Sequence, residues 1–522
     1  MPTSSPPLRF DISRLLAPAT FDHAVSDLRL IETHLSWLVL TGEYTYKIKK
    51  ALRTPFIDAA TLELRNHLCG EELRLNRRLA PSLYLDVLPV VAMADGLRMG
   101  GPGEPIEYAV KMQQFKAGDE LLELLRVNAV TVADTDRLAD LLATFHEQAA
   151  VATAGTAADH MERTSDILLS NVTELAANLR KLRSTASIEQ IGNWLRDSLV
   201  RCESMLQQRW QSGHIRDCHG DLHAGNVVRF DGRLQPFDCL EFSERLRTID
   251  VLDDLAFLVM DLAGHDRDDL ATALLSRYLE RTGDYTGLPL LPIYATHRAL
   301  VRAKVDAMSA LTLPKRRLEF ETRLQRRLLD AERWSAPKHP DLVLMHGVSG
   351  SGKTWVSDRL VPKLRAVRLR SDIERKRLAG LSPTQRAGAD FQSGIYSIEF
   401  SKRMYSHLRE CAEYALRSGF TTIVDASFLE VTDREVFYDL ARQLNAPVTI
   451  VSCYADGRTL EERVLVRSQT GEDASDATLD VMMRQLQHLQ PLAASEPARV
   501  VNVDSRDCSI DAVVASIRSR ST

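Results

Sequence analysis

Gly347-Val348-Ser349-Gly350-Ser351-Gly352-Lys353-Thr354 is the stretch that decides the fold of the C-terminal part of this chain. It is a complete Gly-x-x-x-x-Gly-Lys-Thr phosphate loop. The apolar run Asp341 to His346 before it reads as a short buried strand, and Trp355 to Leu360 after it reads as the start of a helix. That strand-loop-helix context is what the motif needs. Glycines let successive backbone N–H groups turn toward one anion, and the helix N-terminus adds positive potential. Gly347, Ser349, Gly350, Ser351 and Gly352 are therefore the candidate phosphate cradle, Lys353 the contact to the outer phosphates, and Thr354 a magnesium ligand.

Downstream, the pattern alternates strand and helix. Val367 to Asp372 and Thr421 to Ser427 read as strands that end in an aspartate, and Val448 to Cys453 as a fourth strand. In a doubly wound parallel sheet the strand C-termini face the ligand crevice. Asp372 and Asp425 are thereby predicted beside the phosphate loop, one to orient an acceptor hydroxyl and one for the magnesium shell. Arg463 and Arg467 are four residues apart on one helical face, ahead of the polar segment Ser468 to Asp476, and read as lid arginines. A cation delivered to a transferring phosphoryl group is worth about 10³–10⁵ in rate.

At 522 residues the chain predicts two or three domains. Its net charge of −5 gives no basic field for nucleic acid. Seven scattered cysteines without a Cys-x-x-Cys pair favour a reducing compartment over a disulfide framework. Neither a signal-like start nor an apolar run of membrane-spanning length is present, so a cytoplasmic protein without a membrane is expected.

Residues 30–115 read mostly as strands. Leu35 to Leu40, a Thr41-Gly42-Glu43 turn and Tyr44 to Lys49 form a predicted hairpin, with Lys47 and Lys49 on one face and Tyr46 and Ile48 on the other. A helix follows with a stripe of Leu64, Leu68, Leu75 and Leu79, flanked by Glu71 and Glu72; its spacing leaves open which glutamate turns toward a strand lysine. Residues 119–212 read as helical, and His146 reads as a structural histidine. The segment His219-Gly220-Asp221-Leu222-His223-Ala224-Gly225-Asn226 is followed seventeen residues beyond Asp221 by Asp238, after an Asp231-Gly232 turn. That spacing matches a phosphotransferase catalytic loop. The chain then reads as helical to Trp334, with Arg316 to Arg327 as a solvated, ion-paired face, and Ser335 to Pro340 breaks the helix.

Residues 219–238, with an upstream lysine and glutamate, resemble the aminoglycoside phosphotransferase and choline kinase branch of the protein-kinase-like fold. The resemblance implies Asp221 as catalytic base, Asn226 and Asp238 as magnesium ligands, Lys47 on the α/β-phosphates and Glu72 as its partner, with Lys49, Lys111 and Glu71 as alternatives. A Gly-x-Gly-x-x-Gly loop is missing near residues 28–40. Residues 341–520 resemble the small P-loop kinases grouped with polynucleotide 5′-kinase, gluconate kinase and zeta toxin, a set whose phosphate loop is shared with AAA-type ATPases. Here the resemblance implies Asp372 as acceptor-activating carboxylate and includes Arg375 and Arg434.

The expected architecture is α+β and α/β: a protein-kinase-like domain over 1–335 (small lobe about 25–118, helical lobe about 119–335), then a P-loop doubly wound domain over 336–522. The implied cofactors are ATP and Mg²⁺, and the implied partner is a small hydroxylic acceptor. Two function classes stay open. One is a phosphotransferase with two sites. The other is an ATP-hydrolysing regulatory protein whose kinase-like half binds without catalysing. Polynucleotide 5′-hydroxyl phosphorylation is disfavoured by the charge balance.

Overall fold

The computed structural model describes residues 10–54, 57–94, 96–382, 385, 394–470 and 477–519. The described residues fall into two compact units. The first draws on Met1–Val130, Thr144–Ala154 and Gly213–Asp254; the second on Thr131–Ala143, Gly155–Ser212 and Leu255–Thr522.

The first unit is built on a six-stranded antiparallel sheet: β1 (Arg29–Glu32), β2 (Ser36–Leu40), β3 (Tyr44–Lys49), β4 (Tyr84–Met93), β5 (Gly96–Met99) and β6 (Pro105–Gln113), in the order β1-β2-β3-β6-β4-β5. Period-two alternation gives each face its own core. Tyr46 and Ile48 pack with Leu15, Val39, Val90 and Ala109, whereas Val110 and Met112 pack on the opposite face with Cys69, Leu83 and Tyr84. The helix Leu62–Asn76 starts at Thr61, whose hydroxyl accepts from the Leu64 amide. Its buried face differs from the predicted leucine stripe. Arg65, Leu68, Cys69, Glu72, Leu75 and Asn76 are buried, and Leu64 is exposed. Polar side chains with buried partners occupy positions that an apolar count assigns to solvent.

Four short strands complete this unit: β7 (Ile215–Asp217), β8 (Val227–Phe230), β9 (Arg233–Pro236) and β10 (Thr248–Asp250). β7 pairs with β10, and β8 with β9. The β8–β9 turn is Asp231-Gly232, with φ of 49° and 73°, the backbone a two-residue hairpin demands.

The second unit combines long helices with a parallel sheet: β11 (Leu342–His346), β12 (Ala366–Arg370), β13 (Thr421–Asp425), β14 (Val448–Tyr454) and β15 (Arg499–Asp504), in the order β12-β13-β11-β14-β15. β11 is buried along its whole length, as expected of a strand covered on both faces. β15 extends the four strands predicted from sequence to five. The helices Asp268–Thr282 and Lys353–Leu364 both pack in this unit, the first against β12. Gly283 ends the first of them at φ 76°, where a Cβ would meet the Arg377 side chain at 2.7 Å. The helix Arg317–Ser335 is not the solvated element predicted. Arg316 and Arg317 do pair outward with Glu319 and Glu321, but Phe320, Leu324, Arg327 and Trp334 are buried, and Arg327 bonds Asp261 at 2.8 Å.

Candidate functional site

In the first unit, β3 carries two lysines on the face opposite its apolar core, and both reach Glu72. Lys47 Nζ lies 2.7 Å from one Glu72 carboxylate oxygen and Lys49 Nζ 2.7 Å from the other. Lys47 also bonds Asp238, and Lys49 bonds Glu241. Burial alone would raise the Glu72 carboxyl, but the two ammonium groups hold it down at about 2. Burial works against the charge on Lys47, and Asp238 and Glu72 outweigh it and keep the ammonium well above its usual range. Glu71 instead pairs with Arg74 at 2.7 Å on the helix surface. Lys111 sits 3.9 Å over the Tyr44 ring, on the other side of the sheet from Lys47. Glu72 rather than Glu71 is thus the glutamate that faces the strand lysines, and both Lys47 and the more deeply buried Lys49 reach it.

The loop after β7 is held from below by Asp254. Its carboxylate accepts the backbone N–H groups of His219 (3.0 Å) and Gly220 (2.8 Å) and faces His146 Nε2 at 3.1 Å. His146 and Asp254 are both buried beneath this loop. Asn226 Nδ2 donates to Asp221 Oδ2 at 3.0 Å and to the Asp221 carbonyl at 3.0 Å. His223 stays 3.6 Å from Asp221 Oδ2 and accepts the Gly225 amide instead. Asp238 follows β9 in the left-handed region, φ 62°, a conformation that costs energy outside glycine and concentrates at functional sites. Its N–H donates to the Tyr84 hydroxyl at 3.1 Å, and the next amide, Cys239, donates to Asn76 Oδ1 at 2.9 Å. The side chains of Asp221 and Asp238 are each 40% exposed. The unit therefore holds two bonded groups, Lys47 with Glu72 and Asp238, and Asn226 with Asp221, on β3, the helix Leu62–Asn76 and the two loops.

In the second unit, the phosphate loop between β11 and the helix Lys353–Leu364 borders a cavity of about 430 Å³. Ser349, Gly350, Gly352, Lys353 and Thr354 line it together with Asp372, Asp425, Arg463 and Arg467. Ser351 is buried behind the loop, its N–H donating to the Val348 carbonyl at 3.2 Å. Gly347 and Gly352 have φ of 135° and 86°. A Cβ at Gly347 would sit 2.4 Å from the Cys453 carbonyl, and one at Gly352 would sit 2.6 Å from Ser505 Cβ. The loop's curl therefore requires glycine on both conformational and steric grounds. Lys353 Nζ donates to the carbonyls of Gly347 (2.7 Å) and Val348 (2.9 Å). Burial lowers its proton affinity, with Asp425 as the main opposing charge.

Asp425 ends β13 and accepts the Ser357 hydroxyl at 2.9 Å. Asp372 lies in the first turn of the helix Ser371–Leu378, two residues past the end of β12 rather than in the strand. That helix has no side-chain cap. Arg463 is tied to the loop, donating to the Gly350 carbonyl at 3.2 Å and to Ser505 Oγ at 2.7 Å. Of the predicted lid segment, Gly471 to Asp476 lies outside the described residues. Arg375 lines the cavity and donates to Ser401 Oγ at 3.1 Å. Arg434, by contrast, is wholly buried, bonding Glu496 at 2.7 Å and the Phe428 carbonyl at 2.9 Å. It braces the loop after β13.

Two groups of the cavity wall, Gln485 and Asp433, and one buried behind it, Ser357, escaped the sequence reading. Gln485 Oε1 accepts the Ser349 amide at 2.7 Å, and no local signal pointed to it. Ser357 follows Thr354 by three helical positions, so helical spacing could have found it. Asp433, on the wall of the cavity, is pushed up to about 6 by burial and by Glu430.

Residues 342–492 match the family model of the AAA domain. Over 460 residues the chain is 28% identical to the uncharacterized protein Rv2004c of Mycobacterium tuberculosis, covering 87% of this chain and 89% of that one. The solved structure of a choline/ethanolamine kinase family protein from Mesorhizobium loti aligns with TM-score 0.34 and 13% identity, over 62% of this chain and 98% of its own. A gluconokinase from Sinorhizobium meliloti 1021 aligns with TM-score 0.23 and 19% identity, over 34% of this chain and 90% of its own. In class, the chain is a mixed α/β protein. Its C-terminal region carries the phosphate loop on a parallel sheet, within the residues that match the AAA domain. Among the described residues, no helix is long and apolar enough to cross a membrane.

Proposed function

We propose that this protein is an ATP- and Mg²⁺-dependent phosphotransferase with two kinase-like sites, each transferring a γ-phosphoryl group to a hydroxyl of a small-molecule acceptor. The observation that carries the reading is the P-loop cavity, where an anion cradle, Asp372, Asp425, Arg463 and Arg467 converge on about 430 Å³. The donor set fits a nucleotide phosphate chain and a hard divalent cation. The loop supplies backbone N–H groups at glycines that cannot be replaced without a clash, and Thr354 and Asp425 supply oxygen ligands. A bound magnesium ion would neutralise charge on the phosphates. Lys353 acts as the fixed cation on the outer phosphates. Asp372 accepts the proton of the attacking hydroxyl, and Arg463 and Arg467 stabilise the charge of the transferring group.

In the kinase-like site, Asp221 takes the acceptor's proton, oriented by the Asn226 amide that donates to it. Asn226 and Asp238 are the oxygen donors for the cation, and Lys47, held by Glu72, grips the α/β-phosphates. The functional division of this reading falls at residue 336: the residues assigned to the kinase-like site lie within 1–335, and the phosphate loop with its carboxylates and arginines within 336–522. A reducing, cytoplasmic setting fits seven cysteines that are all free.

The test is ATP turnover with magnesium by the full chain, by Lys353→Ala, by Asp221→Ala and by the double variant, with and without a library of sugars, polyols, aminoglycosides and amino alcohols. Each single variant is expected to remove a distinct acceptor-stimulated activity. If Asp221→Ala changes nothing under any condition while Lys353→Ala abolishes all turnover, the kinase-like half is a binding module, and the two-site reading is wrong.

A further inference from the structure

Arg368 is buried at the centre of β12, where a guanidinium needs a counter-charge and a full set of acceptors. Asp358, an exposed residue of the helix Lys353–Leu364, lies 3.3 Å from it, and its buried charge partner comes from outside the P-loop segment. Glu280, on the helix Asp268–Thr282, is 2% exposed and accepts from Arg368 at 3.1 Å and from Arg370 at 3.2 Å. Burial would raise the Glu280 carboxyl, and the two arginines hold it below its usual range. The backbone of Arg368 is fixed from the same side. Its N–H donates to Ser276 Oγ at 3.0 Å, and its carbonyl accepts the Tyr285 hydroxyl at 3.2 Å.

The other arm of Arg368 points at the phosphate-loop helix. It donates to Ser357 Oγ at 3.2 Å, and Ser357 Oγ lies 2.9 Å from Asp425 Oδ2 and 3.1 Å from the Thr354 carbonyl. A hydroxyl has one proton and two lone pairs. With a lone pair of Ser357 taken by a charged donor, its proton is polarised toward the stronger acceptor, the Asp425 carboxylate. The result is an unbroken chain, Glu280 to Arg368 to Ser357 to Asp425, in which each link is buried.

We propose that Glu280, Arg368 and Ser357 are positioning residues that set the Asp425 carboxylate for the divalent cation of the P-loop site, so that this site is completed by a helix from the region preceding residue 336. The inference rests on the reading of Asp425 as a cation ligand. None of the three residues lines the cavity. They act through Asp425, in the way that outer hydrogen-bond partners orient metal-binding carboxylates.

The experiment is equilibrium binding of a fluorescent ATP analogue to the full chain, in EDTA and across a Mg²⁺ titration, for wild type, Ser357→Ala, Ser357→Thr, Glu280→Gln, Asp425→Asn and Lys353→Ala. Ser357→Ala and Glu280→Gln are expected to raise the half-saturating Mg²⁺ concentration by about 10- to 100-fold while leaving affinity in EDTA within about twofold. Ser357→Thr, which keeps the hydroxyl, restores the wild-type value. If both variants keep the wild-type Mg²⁺ dependence while Asp425→Asn loses it, the relay is wrong and the cation site stands. If the variants weaken binding equally in EDTA and in Mg²⁺, their role is structural and the proposal falls. A wild type that binds the analogue no better than Lys353→Ala overturns the ATP reading itself, and the relay with it.

Discussion

The two lysines at the centre of the two sites are held in opposite ways. Lys47 is fixed by side-chain carboxylates far away in the chain, Glu72 and Asp238. Lys353 is fixed by carbonyls of its own loop, those of Gly347 and Val348. The first site is therefore a tertiary construction that exists only when a strand, a helix and a loop have met. The second is largely a local one, written into eight consecutive residues. A charge network buried between elements contributes to holding those elements together, whereas a loop cradle is held by its glycines. Function and stability should then separate at Lys353 and coincide at Glu72.

Glu72→Ala tests this most severely, because it leaves Lys47 and Lys49 buried with one carboxylate fewer. Breaking a buried ion pair from one side costs about 3–5 kcal/mol, read as a fall of roughly 10 °C or more in the melting of the unit that holds it. An unchanged melting temperature would break the comparison. Lys353→Ala should do the reverse. Turnover at the P-loop site falls by at least about 10²-fold, the scale of removing one preorganised charge donor, while melting shifts by no more than about 2 °C. Between these lies Gly352→Ala, which must adopt φ 86° and push against Ser505 at 2.6 Å. It should cost about 2–3 kcal/mol, against about 1 kcal/mol for Gly232→Ala, where φ is 73° but nothing lies within 4 Å.

The same contrast explains what could be read from the sequence. The phosphate loop, the parallel strands around it and Asp425 were legible because the chemistry is contiguous or lies at strand ends. The catalytic-loop spacing from Asp221 to Asp238 was legible for the same reason, and the hairpin between them formed as predicted. Glu72 was not separable from Glu71, because the buried face of the helix Leu62–Asn76 includes Arg65 and Asn76, whose partners Glu107 and Cys239 lie on other elements. Arg327 was assigned to solvent because its partner, Asp261, is on another helix. Glu280 carried no local signal, since its meaning comes from Arg368. β15 was missed because its burial is partial, with Val503 alone fully covered.

The smallest expected effect sharpens the comparison through pH, because the buried carboxyl of Glu72 and the half-buried one of Asp433 are displaced in opposite directions. Glu72 is held at about 2 against an ordinary value of 4.5. Its contribution is present above 4.5 and is lost as pH falls from there toward about 2. Asp433 is raised from 3.8 to about 6, so its contribution is full below 3.8 and disappears as pH rises through about 6. Asp433→Asn, which cannot ionise, removes that slope. The melting temperature of the variant relative to wild type should therefore be more favourable at pH 7 than at pH 4, by a few degrees at most. Thermal melts at the two pH values check it. A difference independent of pH would mean that the Asp433 carboxylate ionises in the folded cavity as readily as in the unfolded chain, and the wall of the P-loop site would then be as well solvated as the exposed carboxylates of the kinase-like one.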